Sequence, residues 1–224
     1  SLPPIGKIDR RVFDEVIFPR LGRRRREVIL GPMHGVDAAA VEVADDRVMV
    51  VAEDPTFGMP SIMPHFGWAI VHICASDVAV LGVAPQYITI SLLLPPGMDT
   101  EVLRSVWIQV HEESERLGIS IIGGHTGVYP GIAYPLNGGC TAIGIGRRGD
   151  LRPSSNARAG DALVVTKGAA IEAAAILAVQ AEEELIKALG SDLVEKAKSL
   201  ILKMSVVDDA LTAAKYVHAM HDAT

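Results

Sequence analysis

The chain has 224 residues and a formal net charge of −6, with 49% hydrophobic and 21% charged residues. This much apolar material can form a buried core, which excludes a disordered chain. The acidic balance argues against a nucleic-acid-binding protein, because such proteins neutralise phosphates with Lys and Arg. No apolar run reaches the roughly 18 to 20 residues that a membrane-spanning helix needs, so we predict no membrane segment.

The elements follow from hydrophobic periodicity and turn residues. In chain order, we predict a helix over 8–21, strands over 26–31, 37–44 and 47–54, a helix from about Trp68 to Gly82, a strand over 86–94, a helix over 100–117, and strands over 119–124 and 140–146. This order predicts an α+β fold with helices on one face of a mixed sheet, and it does not fit a doubly wound sheet.

A stretch rich in Arg, Gly, Ser and Pro at 147–161 predicts a domain boundary. We therefore divide the chain into an N-terminal domain, 1–150, and the start of a C-terminal domain, 161–224. In the second part we predict a strand over 162–168 and helices over 169–180, 182–190, 192–204 and 208–224. Because it lacks the strands to complete a sheet, and because the first residue of the chain is not Met, we expect a fragment of a longer protein.

The two cysteines lie in apolar surroundings and match no metal-binding spacing. We predict that Cys74 and Cys140 are reduced core residues of a cytoplasmic protein.

Three aspartates stand where an apolar stretch begins, ends or is interrupted. Asp37 begins the strand at 37–44, Asp54 closes the next strand, and Asp77 interrupts a long apolar helix. Taken singly, each fits a turn or a solvent-facing helix charge. Together they can converge on a hard cation such as Mg²⁺, which takes oxygen ligands and is often shared with substrate phosphates.

A second polar feature is Gly123-Gly124-His125-Thr126, which we predict at the end of the buried strand over 119–124. Glycine backbone can approach a phosphate closely and present its N–H groups. The sequence has none of the common phosphate-loop, dinucleotide, zinc-protease or serine-hydrolase motifs. Any nucleotide is therefore bound outside those loops.

Five segments resemble, in order, the superfamily of aminoimidazole-ribonucleotide synthetase, the PurM-like proteins. They are GVDAAAVEV, VVAEDPTFG, ASDVAVLGVAPQYITISLLLPPG, IIGGHTG and the final HDAT. The superfamily also contains the hydrogenase-maturation protein HypE, thiamine-monophosphate kinase and selenophosphate synthetase, and the segments most resemble HypE. Selenophosphate synthetase is disfavoured because the chain has no N-terminal reactive cysteine.

The resemblance implies an enzyme that uses ATP and Mg²⁺ to phosphorylate a substrate oxygen. It implies that Asp37, Asp54 and Asp77 bind metal, and that Gly123, Gly124, His125, Thr126 and Lys7 lie beside the nucleotide phosphates. It also implies a homodimer whose sheets form a shared β-barrel near the strand at 86–94, followed by a truncated α/β C-terminal domain. The partner of the enzyme is then a small-molecule or protein-bound acceptor.

One residue departs from the HypE pattern. Relatives carry an acidic residue where this chain has His125, and neutral histidine is a poorer magnesium ligand. Two alternatives therefore stand beside a HypE-like activity: a phosphotransferase like thiamine-monophosphate kinase, and a nucleotide-binding relative without catalysis.

Overall fold

A computed structural model describes residues 6–59, 62–132, 134 and 136–223. Six strands form one sheet in the order β1-β2-β3-β6-β4-β5, and only the pair β4–β5 is parallel. The strands are β1 Val28–Leu30, β2 Ala39–Ala44, β3 Arg47–Phe57, β4 Tyr87–Leu94, β5 Ser120–Val128 and β6 Asn137–Arg147. The predicted α+β fold with a mixed sheet is confirmed.

Seven α-helices lie within the described residues. They are α1 Arg10–Val12, α2 Phe66–Val80, α3 Thr100–Arg116, α4 Ile171–Gln180, α5 Glu182–Leu189, α6 Ser191–Lys198 and α7 Val207–Ala213. Helix α1 continues as a π-helical turn, Phe13–Ile17, and a 3₁₀ turn, Phe18–Arg20. None of the described helices combines the length and the apolar character needed to cross a bilayer.

The core lies between the sheet and α2. Alternate residues of β3, Val48, Val50 and Ala52, are buried, as the two-residue period of a strand requires. Helix α2 is apolar around most of its circumference and almost entirely buried, which is typical of a central helix. Helix α3 packs so closely on it that a Cβ at Gly67 would lie 2.2 Å from the Val106 carbonyl oxygen.

Both cysteines are free and buried, as predicted. The Cys74 thiol donates to the Cys140 carbonyl oxygen across 2.9 Å, which ties α2 to β6. The two residues therefore serve the packing of the helix on the sheet.

Three predicted elements are wrong. The strand predicted to stop at Gly124 continues to Val128, because β4 offers it a parallel partner along that whole length. Residues 162–168 form no strand; Leu163 is 95% exposed, and no strand among the described residues pairs with this segment. The last helix ends at Ala213, because the chain then turns back across the linker.

The face of the sheet opposite α2 is only partly covered within the described structure. Tyr87 is 38% exposed there, in register with the half-buried residues Val51 and Ile143. Met49 pairs with Ile145 in the next row of the same face. Apolar side chains on two faces of a sheet require two layers of cover.

Candidate functional site: an acidic cluster beside a buried helix

Strand pairing and helix geometry bring the three predicted aspartates together. Strands β2 and β3 are antiparallel with Ala39 opposite Val51, so Asp37 lies at the end of the sheet that β3 reaches at Asp54. Asp77 lies one helical turn after Cys74, on the face of α2 that packs on the sheet. Asp54 lies three residues before the end of β3, slightly inside the strand that it was predicted to close.

A fourth carboxylate, Asp222, reaches the same place from the end of the chain. The Met220 N–H donates to the Arg152 carbonyl oxygen across 2.9 Å, and Arg152 Nε donates to the Ala214 carbonyl oxygen across 2.7 Å. These bonds direct the last residues back toward the sheet, where the Asp222 side chain is only 9% exposed. We call Asp37, Asp54, Asp77 and Asp222 the acidic cluster.

Burial and neighbouring charges raise the pKa values of three of these carboxyl groups. Burial and then the charge of Asp54 raise the pKa of Asp77 to about 9. Burial and then the charge of Asp222 raise the pKa of Asp37 to about 7. Burial also raises the pKa of Asp54, although interaction with the Asp77 carboxyl opposes the rise. Such shifts occur when like charges share a site without enough positive charge.

Two positive or titratable groups approach the acidic cluster. His221 Nδ1 lies 3.2 Å from Asp37 Oδ1 and 3.4 Å from Asp222 Oδ1. Lys7 lies close enough to Asp54 for its charge to lower the pKa of that carboxyl. The structure thus places the predicted residue Lys7 beside the aspartates.

The donor set fits a divalent cation. Asp54 Oδ2 is buried and has no hydrogen-bond partner among the described residues, which is costly for a carboxylate oxygen. Several carboxylate oxygens around one point are the ligands that Mg²⁺ and related ions take. An ion there would neutralise the repulsion that raises the pKa values of the aspartates.

An apolar cavity of about 90 Å³ adjoins Asp54 between β3, α2 and α4. Ile70, Ile73 and Ile176 contribute to its wall, and Glu172 of α4 stands at its edge. Burial, with a further contribution from the charge of Asp222, raises the pKa of Glu172. The acidic cluster thus has a neighbouring space for an apolar group.

Residues Gly123 to Thr126 lie elsewhere on the sheet. In register, Asp54 pairs with Cys140, Cys140 with Ile90, and Ile90 with Gly124. Three strand spacings separate Gly124 from Asp54, a distance of about 14 Å. The four residues belong to the edge strand β5 and do not join the aspartates of the same chain.

The structure also gives Gly124 a packing role. Its φ is +148°, and a Cβ there would lie 2.0 Å from the Ile90 carbonyl oxygen. At Gly123 a Cβ would meet only a Thr89 methyl group at 3.6 Å. His125 Nε2 lies 2.6 Å from the Tyr129 hydroxyl. The predicted role of this segment in nucleotide binding stays a prediction.

Asp222 and Glu172 are the site residues that sequence reasoning missed. The motif containing Asp222 was recognised, but its helical periodicity placed it in a helix that the structure ends at Ala213. The sequence does contain a signal for Asp222: it is an acidic residue that directly follows a histidine where the amphipathic pattern ends. No sequence signal marks Glu172 as a site residue, because acidic residues are common in the first turn of a helix.

Comparison with known proteins assigns the first part of the chain. Residues 35–145 match the family described as "AIR synthase related protein, N-terminal domain". This part of the chain is an AIR synthase-related domain. The predicted membership of the PurM-like superfamily is confirmed.

Curated relatives extend the similarity beyond that domain. A putative hydrogenase expression/formation protein of Methanocaldococcus jannaschii is 25% identical over 222 residues, 98% of this chain and 63% of the relative. A selenide, water dikinase of Clostridium botulinum is 26% identical over 84% of this chain and 52% of its own length. The carbamoyl dehydratase HypE of Rhizobium leguminosarum is 27% identical over 91% and 60%. The chain thus spans about half to two thirds of their lengths.

Solved structures show the same fold. AaThiL complexed with AMPPCP and TMP has a TM-score of 0.70, covering 84% of this chain and 60% of that chain. Its sequence identity of 20% supports similarity of fold alone.

Proposed function

We propose that the chain is part of an ATP- and Mg²⁺-dependent enzyme that activates a substrate oxygen by phosphorylation, as in a HypE-like reaction. The observation that carries this proposal is the grouping of four aspartates whose charges act on one another, with the buried Asp54 Oδ2 unpaired among the described residues. The relatives named above include a dikinase and a carbamoyl dehydratase, which supports chemistry of this class.

Phosphoryl transfer needs charge neutralisation and in-line placement more than covalent participation by the protein. In the proposed enzyme, Asp37, Asp54, Asp77 and Asp222 hold Mg²⁺, which supplies positive charge to the phosphates of the nucleotide. The buried positions of these side chains keep them in fixed orientations. Lys7, from the N-terminal segment, contacts a phosphate oxygen in this proposal, which is supported by the effect of its charge on the pKa of Asp54.

We further propose that the chain acts as a homodimer through the partly covered face of the sheet. The half-buried apolar residues on that face support a second layer of protein. Replacing Ile143 by Glu should then convert a dimer into a monomer in light scattering after size-exclusion chromatography. The control Ile108→Glu, on the exposed side of α3, should leave the dimer intact.

The domain division stays part of the proposal. Among the described residues, all six strands lie within 1–150, and the part from 161 onward is helical apart from turns and irregular segments. In the proposed enzyme the second part contributes Asp222 and Glu172 to a site that the first part builds.

Calorimetric titration of ATP into the full chain, with and without Mg²⁺, tests the proposal. We expect binding that requires Mg²⁺ and that falls by a factor of about 100 in Asp54→Asn. Glu101→Gln, which alters a carboxylate with 69% exposure on α3, should bind like the wild type. Equal ATP affinity with and without Mg²⁺, or in Asp54→Asn, would contradict the metal assignment.

Assays of ADP release on the same samples separate the alternatives. Release that requires thiamine monophosphate would favour the phosphotransferase. Mg²⁺-dependent binding without release, across the acceptors tested, would favour a relative without catalysis. The departure at His125 is the sequence feature behind that second alternative.

A further inference from the structure

We propose that His221 is itself a metal ligand and that it gives the acidic cluster a mixed nitrogen and oxygen donor set, with a preference for Mn²⁺ over Mg²⁺. The inference rests on the proposed function only in placing a divalent ion at the same cluster. It concerns the residue that supplies a nitrogen ligand and the identity of the preferred ion.

The spacing of three side chains carries the inference. His221 Nδ1 lies 3.2 Å from Asp37 Oδ1 and 3.4 Å from Asp222 Oδ1, and one ligand atom of each residue lies within 4.8 Å of the other two. With metal–ligand bonds of about 2.1 Å, neighbouring ligands of an octahedral ion are about 3.0 Å apart. The two distances from His221 Nδ1 are therefore close to those between neighbouring ligands of a single ion, and the two carboxylates are near enough to each other to share it.

Burial and chain direction support the arrangement. The Asp37 and Asp222 side chains are 8% and 9% exposed, whereas that of His221 is 43% exposed. The imidazole thus covers two buried carboxylates from the solvent side. Nδ1 also lies 2.6 Å from the Asp222 carbonyl oxygen, a contact that a bound ion would replace.

The donor chemistry sets the expected selectivity. Mg²⁺ prefers oxygen ligands and retains its waters, whereas imidazole suits first-row transition ions. A set made only of carboxylates would leave Mg²⁺ and Mn²⁺ closer in affinity. Adding His221 nitrogen shifts the preference toward Mn²⁺.

Pulsed electron paramagnetic resonance of Mn²⁺ added to the full chain tests the inference directly, because a nitrogen bonded to the ion modulates the spin echo. We expect nitrogen modulation in the wild type and none in His221→Gln. The matched control is His218→Gln, on the same tail, whose ring pairs with Asp161 at 2.9 Å. It should keep the signal.

Metal titration gives a second readout. In His221→Gln we expect the Kd for Mn²⁺ to rise about tenfold or more, while the Kd for Mg²⁺ changes by less than about threefold. An equal loss for both ions would mean that His221 only positions Asp222, and would overturn the inference.

Three further results would overturn it: no Mn²⁺ binding to the wild type, bound Mn²⁺ without nitrogen modulation, or unchanged modulation in His221→Gln. Because two of these results need only the wild type, the inference can be tested even if a variant folds poorly. Nitrogen modulation without Mg²⁺-dependent ATP binding would instead contradict the proposed function, while it would still support this inference.

Discussion

Two groups of buried polar side chains join the end of the chain to helix α2, and they differ in how their charges are balanced. In the acidic cluster, four carboxyl groups lie together, and burial with the charges of neighbouring carboxylates raises the pKa values of Asp37 and Asp77. In the second group, His72 places one ring nitrogen 2.6 Å from Ser205 Oγ and the other 2.9 Å from Glu113 Oε2. We call His72, Glu113, Arg116 and Ser205 the histidine cluster.

The histidine cluster is satisfied by its own members. Arg116 Nε lies 2.8 Å from Glu113 Oε2, so the carboxylate has a positive partner, and Trp68 stacks on the His72 ring at 4.3 Å. A fully paired buried network stabilises one arrangement of the chain, whereas an unbalanced one favours neutralisation by a ligand or a proton. The difference supports the proposal that the acidic cluster is the site, and we interpret the histidine cluster as a structural connection.

The largest expected effect comes from breaking the acidic cluster at its centre. Asp77→Asn should lower Mg²⁺-dependent ATP affinity by a factor of about 100. It should raise the stability of the chain in EDTA at neutral pH by about 1 to 2 kcal/mol, because Asp77, with its pKa raised to about 9, must take up a proton on folding and Asn need not. Calorimetry and urea denaturation measure the two effects. Loss of both affinity and stability would mean that Asp77 is a structural residue like His72.

The reverse result is expected for the histidine cluster. His72→Ala should lower the free energy of unfolding by about 3 kcal/mol, because it removes a buried ring, leaves Ser205 Oγ without that partner and removes one of the two partners of Glu113. Urea denaturation measures the change, and the exposed His111→Ala on α3 is the control, expected to stay within about 0.5 kcal/mol. If His72→Ala had only a mild effect on stability but abolished ATP binding, the histidine cluster would be part of the binding site and not a structural connection.

The two clusters should also differ in how they make the stability of the chain depend on pH. The folded pKa values of Asp37, about 7, and Asp77, about 9, lie above their unfolded values near 3.8. Their contribution to stability is therefore complete below about pH 4 and is lost as the pH rises through 7 and 9. Burial lowers the pKa of His72, so its contribution is complete above its unfolded value near 6.5 and is lost at lower pH.

Thermal melts in EDTA between pH 5 and 9.5 measure these opposite slopes. The difference between the wild type and Asp37→Asn/Asp77→Asn should grow as the pH rises, by at most about 1.4 kcal/mol per pH unit for each group. The difference between the wild type and His72→Gln should shrink as the pH falls below about 6.5. Curves that stay parallel across the range would refute the pKa shifts.

The smallest effect is expected at the far edge of the sheet. His125→Asp should leave the Mg²⁺ affinity of a single chain within about twofold, since about 14 Å separates β5 from Asp54. Calorimetry with Mg²⁺ alone measures this. A large gain in affinity would mean that β5 completes a metal site, and since the register excludes the same chain, a second copy would have to supply it.

Much of the fold could be predicted because local patterns and tertiary contacts agree. The alternation in β3 and the amphipathic pattern of α3 each match the burial that the structure shows. The strand predicted over 162–168 was wrong, because β-propensity specifies a strand only when another strand is available to pair with it. The predicted end of the last helix was also wrong. The helical periodicity continues through 214–223, but hydrogen bonds with Arg152 turn this segment away from the helix axis.

The sequence by itself determined which residues carry charge inside apolar segments, and so it named Asp37, Asp54 and Asp77. Burying a carboxylate is costly enough that its position in an apolar pattern is already informative. Only the tertiary structure decided that Asp222 and His221 complete the group and that Gly123 to Thr126 lie three strands away. Strand order and the return of the tail are long-range contacts, and no local pattern along the chain encodes the distance between them.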